Sequence, residues 1–195
     1  MPMRCALLAL VLLATPAGAQ TFSDAVGDAL PALLDAALDD FATMRGDPTE
    51  ASASDSTWAA SFEIQTAQGP LQATVTRNVT GGQDVTYYET SLSSSTDADR
   101  DVLRQLFRGA VGASGRHLDA SAGGVGWTRR VNGEDDPGEM QVIAWMECPE
   151  RAAGRHVMLG YVPSPRGGGS VRIRISRFHA ESCAATPHRF GTDAD

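Results

Sequence analysis

Two apolar runs near the C-terminus, Arg155–Val162 and Val171–Phe178, constrain the fold of this chain most strongly. Apolar side chains recur in them at the period of two that a strand buried on one face requires. The loop between them, Pro163-Ser164-Pro165-Arg166-Gly167-Gly168-Gly169-Ser170, has the prolines and glycines of a hairpin connection and reads as a flexible tip. An antiparallel hairpin over 155–178 follows. It brings Cys148, just before the first run, to the same end as Cys183, just after the second.

What those cysteines do depends on the compartment. Arg4, the apolar run Cys5–Leu13 and the small residues Ala17-Gly18-Ala19 form the pattern of a secretory signal peptide over residues 1–19. Thr15-Pro16 ends the apolar run before the length of about 20 residues that a membrane-spanning helix needs. No later stretch is long and apolar enough to span a bilayer, so the expected location is the periplasm or the medium. Cleavage removes Cys5 and leaves an even pair, which in an exported chain points to a Cys148–Cys183 disulfide. Closing a loop of that size stabilises the fold by about 3–4 kcal/mol in the chain-entropy model. The alternative is zinc held by Cys148, His179, Cys183 and His188, a ligand set that suits tetrahedral coordination at a spacing that matches no finger motif.

The formal net charge of −8 makes nucleic acid and anionic membrane poor partners. Every basic side chain is arginine, so lysine-dependent chemistry is excluded. The acids are concentrated early: residues 20–114 carry 14 acids against 5 arginines, and residues 115–195 carry 10 of each.

The chain reads as one α+β domain over 20–195. Phe22, Val26, Leu30, Leu33, Leu34, Leu38 and Phe41 recur at helical spacing and predict a helix over 22–45, kinked or restarted at Pro31 and stopped by Gly46-Asp47-Pro48. Thr49–Ser56 reads as a linker. Alternation from Trp58 to Leu92, with turns at Gln68-Gly69-Pro70 and Gly81-Gly82, predicts a three-stranded meander over 57–92. Thr96 and Asp99 form a capping box for a helix over 97–111 closed by Gly112. Four strands follow over 124–178, then a tail over 184–195. Met140–Glu147 is apolar on both faces and reads as a central strand. The expected architecture is therefore an antiparallel sheet of about seven strands in two meanders, three then four, with two helices on one face. Each meander follows a helix and starts near a tryptophan, Trp58 or Trp127, a weak internal duplication of organisation.

Catalytic patterns are sparse. Ser114, His117 and Asp119 are neighbours in sequence, but a triad is an arrangement in space. Gly112-Ala113-Ser114-Gly115 misses the nucleophile-elbow spacing, and Gly167-Gly168-Gly169 lacks the Lys-Ser/Thr of a phosphate loop. The best specific candidate is cationic. Arg172 and Arg174 alternate on one strand face and, with Arg155 or His156 next door and Trp145 and Phe178 flanking, suit an anionic ligand or an acidic partner surface. The expectation is a non-catalytic exported protein that binds an envelope protein or a small anionic ligand and needs no cofactor. The alternative is an exported hydrolase or zinc protein using the His and Cys residues of the C-terminal segment.

Thiol titration of the denatured, unreduced mature chain is expected to find no free thiol. Two free thiols with one zinc per chain would replace the disulfide with the metal site.

Overall fold

A computed structural model describes residues 21–52, 54–67, 69–80, 83–118, 127–132, 140–147 and 154–178. Thr21 opens the first helix, α1 (Phe22–Ala37): its hydroxyl oxygen accepts the Asp24 amide at 3.2 Å, satisfying one of the donors a helix start leaves unpaired. Pro31 lies inside α1 on its exposed side, and the helix runs through it as one element with no second segment. It ends at Ala37, well short of 45. The chain leaves through Asp40 and Phe41, both at a φ of 57°, a left-handed conformation costly for a bulky residue. Burial offsets that cost, since Phe41 is wholly enclosed with its ring 6.2 Å from that of Tyr88.

After a 3₁₀ turn come β1 (Arg45–Ala51), β2 (Asp55–Ala60), β3 (Ile64–Thr66), β4 (Gly69–Leu71), β5 (Ala73–Thr80) and β6 (Gln83–Ser94). A second 3₁₀ turn leads into α2 (Arg100–Leu118), and β7 (Trp127–Asn132), β8 (Gln141–Glu147), β9 (Gly154–Pro163) and β10 (Gly169–Phe178) follow. The main sheet is antiparallel with the order β1-β2-β5-β6-β10-β9-β8-β7, and β3 and β4 form a separate small hairpin. The fold is α+β, with two helices packed on one face of an antiparallel sheet.

The sheet is wider than expected because part of the supposed helix end and linker is its edge strand. β1 is exposed along nearly its whole length, carries Pro48 and pairs with β2 through two register shifts. Those features keep an open edge from pairing with another chain. β8 is buried at every residue, as its two-sided apolar pattern implies, yet it lies second from the opposite edge and not at the centre. Helix α2 runs past Gly112 to Leu118 because Ala113, Ser114 and Leu118 continue its buried side. The glycine run 167–169 is no free tip: all three residues are buried, and a Cβ on Gly168 would come within 2.1 Å of the Ser94 carbonyl oxygen. The expected capping box does not form: Thr96 makes no side-chain cap bond, a 3₁₀ turn over Asp97–Asp99 precedes α2, and the Ser94 and Thr96 hydroxyls instead donate to the Asp99 carboxylate at 2.6 and 2.5 Å, holding its pKa below the ordinary carboxylate value.

The strand order reads the same from either edge. Each half is a helix followed by four main-sheet strands, and the last strands of the two halves, β6 and β10, pair at the seam. The duplication of organisation is thus present, but the tryptophans that match are Trp58 and Trp145, not Trp58 and Trp127. Trp58 and Trp145 each stand on the second strand of their half, opposite a valine on the third. Cross-strand pairing makes one row over the helix-covered face: Trp58, Val75, Tyr88, Ile175, Val157, Trp145. Five of the six are at most 1% exposed, and Trp58 packs against the same core.

Both helices lie over this face and on each other. Their crossing is close: a Cβ on Gly109 of α2 would come within 2.1 Å of the Ser23 Oγ of α1, and one on Gly27 would be 3.4 Å from the Ala113 Cβ. Burial pushes the Tyr88 hydroxyl pKa well above its ordinary value, with Glu63 adding to the shift. The unfolded chain ionises this phenol near pH 10 and the folded chain does not. Stability from this group is therefore complete below about pH 10 and is lost as pH rises beyond it. Urea unfolding between pH 8 and pH 11 is expected to show a loss approaching about 1.4 kcal/mol per pH unit above pH 10 that Tyr88→Phe lacks; equal pH dependence in both proteins would contradict it.

Candidate functional site

The helices lie on one face of the sheet; the other face is buried along β8 but partly exposed over β2, β5, β6 and β10, and Arg172 and Arg174 project there because Val171, Ile173 and Ile175 take the core positions. Arg174 is held in place by β6. Its guanidinium carbon lies 4.4 Å from the Tyr87 ring centroid, its Nε donates to Glu89 Oε2 at 2.6 Å, and its Nη2 is ion-paired with the same oxygen. Stacking on one side and a charge-assisted hydrogen bond at the edge orient this group. Arg172 is exposed and makes no ion pair or hydrogen bond among the described residues. Its cross-strand neighbours are Gly160 and Ser91, so neither side crowds the guanidinium. Thr57, Thr74 and Thr76 extend the same face across β2 and β5 as a polar, partly exposed surface.

The five residues proposed from the sequence do not converge. Trp145 is 1% exposed in the core on the helix side. Arg155 also faces the helices, donating to Glu147 through Nε at 2.6 Å and Nη2 at 2.5 Å, and to the Leu34 carbonyl of α1 at 3.4 Å. The bond to Glu147 raises its pKa. Its role is to hold β9, β8 and the end of α1 together. His156 is the neighbour on the Arg172 side, opposite Ser176. Phe178 is the last residue of β10. Register decides this division: adjacent residues on a strand point to opposite faces, so one step separates Arg155 from His156.

Tyr87 and Glu89 were missed. The signal that finds them is the alternation within 85–92 once Tyr88 is assigned to the core, since its two neighbours then share the opposite face.

Ser114 is fully buried within α2, and among the described residues its Oγ makes no hydrogen bond and no base is placed to activate it. His117 is exposed one turn on, its Nε2 lying against α1 at Gly27. Asp119, and the Cys148, His179, Cys183 and His188 of the disulfide and zinc readings, lie outside the described residues. No helix among the described residues is long and apolar enough to cross a membrane.

Glu89→Gln is expected to release Arg174 from its ion pair while leaving the fold intact, because the site is half-exposed. The expected change in stability is within about 1 kcal/mol, and the NMR signal of the Arg174 Nε–H should lose its hydrogen-bond shift; an unmoved signal would remove Glu89 as the group that orients Arg174.

No family model matches this chain, and no curated protein or solved structure matches it either.

Proposed function

We propose that this is a non-catalytic protein of the bacterial cell envelope, exported by its N-terminal signal, that binds an acidic surface of a partner protein through the partly exposed sheet face around Arg172. The observation that supports this reading is the pairing of an immobilised cation with an available one. Arg174 is fixed by Tyr87 and Glu89, and Arg172, two residues away on the same face, is exposed and has no partner among the described residues. A guanidinium already ordered loses little entropy on binding, and its free neighbour supplies the donors for a carboxylate. Apart from Glu89, which is paired with Arg174, the surroundings include threonine and serine hydroxyls that can add hydrogen bonds. The burial of Ser114 supports a binding role over a hydrolytic one.

The test is site-directed photo-crosslinking from position 91 of the chain expressed with its own leader, comparing the parent with Arg172→Ser/Arg174→Ser. The expected result is a discrete crosslinked partner with an affinity that falls as salt is raised and weakens about tenfold or more in the double variant, a loss of about 1.4 kcal/mol. An identical crosslink in the double variant would remove the site.

A further inference from the structure

On the helix side of the sheet, a cleft of about 150 Å³ opens where the turn after α1 meets β5 and β6. Asp40, Arg45, Arg77, Asp84 and Thr86 line it. Arg45 lies with its guanidinium carbon 4.5 Å from the Trp58 ring centroid, and its Nη2 donates to the Asp40 carbonyl at 2.9 Å. Its Nε is buried without an acceptor among the described residues, which in a folded protein calls for an explanation. Arg77 differs: it donates to Asp84 through Nε at 2.8 Å and through Nη2. Asp40 is 3.8 Å from Arg177. Arg45 is thus the cation of the cleft that no carboxylate neutralises among the described residues.

The geometry limits what it can bind. The guanidinium carbon sits over the indole ring and Nη2 is held by the Asp40 carbonyl, so the remaining donors of the planar fork are the ones that can meet a planar carboxylate. Thr86, 4% exposed, adds a hydroxyl to the lining. A dianion such as phosphate is repelled by Asp40 and Asp84 in the same walls more strongly than a monoanion is. A cavity of this size holds a molecule of about six heavy atoms, the size of benzene. We propose that the cleft is a binding site for a small monocarboxylate, recognised by the edge of Arg45 and the hydroxyl of Thr86. It opens on the opposite side of the sheet from Arg172 and is independent of the partner-binding reading.

The test is titration of the folded protein with butyrate and, separately, inorganic phosphate, followed through the backbone amides of Arg45, Asp84 and Thr86 by NMR. Butyrate is expected to shift these amides saturably, with affinity about tenfold weaker in Arg45→Gln and similarly weakened in Arg45→Lys, which keeps the charge but loses the stack and the fork. If the Arg45 variants fail to fold, Thr86→Val, nearly the same in shape, is expected to weaken binding severalfold. The proposal is overturned by the absence of a saturable shift at these amides, by phosphate binding more tightly than butyrate, or by Arg45→Lys or Thr86→Val binding butyrate as the parent does.

Discussion

The row of side chains from Trp58 through Val75, Tyr88, Ile175 and Val157 to Trp145 is the contact on which the rest of this structure depends. It crosses six strands in register on the helix side and joins the two halves of the chain at the Tyr88–Ile175 pair. Each large side chain fully withdrawn from water contributes about 1.5–3 kcal/mol. The helices are seated by it, Phe41 is held in its left-handed turn against Tyr88, and β1 gains its place by pairing with the strand that carries Trp58. The hydrogen bond from the Tyr88 hydroxyl to the Phe62 carbonyl, at 3.3 Å, lets a polar tip end inside this row.

Beside the row lies a polar border that serves a different need. Ser56, Arg77, Thr86, Arg177 and Arg155 are cross-strand neighbours on the helix side. A helix ends with carbonyls that have no partner within it. Arg155 donates to the carbonyl of Leu34, Arg177 to that of Leu38 at 2.7 Å, and Arg45 to that of Asp40. Cations at this end also suit the helix dipole. Most arginines of the border are thus committed to structure, and Arg172, on the far face, has no such commitment. An arginine count finds neither distinction, because it rests on which strand face each residue occupies.

The strongly patterned elements were legible in the sequence. The C-terminal hairpin, the fold class, the start of α1 and the two-sided burial of β8 follow from periodicities that packing enforces. What was not legible has identifiable causes. β1 has no apolar alternation because an edge strand wetted on both faces needs none. The end of α1 is masked by Phe41, which continues the helical period while its backbone has already reversed. The glycine run resembles a loose tip because its neighbours, Ser94 to Asp97, are distant in sequence. At the site, the alternation of Arg172 and Arg174 was readable, but the grouping with Arg155 and Trp145 required a register between strands that no single strand encodes.

The palindromic strand order also bears on how the molecule is assembled in time. Within each half, successive main-sheet strands pair with near neighbours, but the seam joins residues such as Glu89 and Arg174, 85 positions apart along the chain. Closing a long loop costs entropy before its contacts form, so local meanders precede the seam. Until β6 meets β10, each half presents its innermost strand as an open edge. The edge that completes it belongs to the other half, and a second chain at the same stage presents an identical one. Concentrated refolding therefore favours dimers that have exchanged halves through this seam, with every strand pairing of the monomer reproduced between two copies.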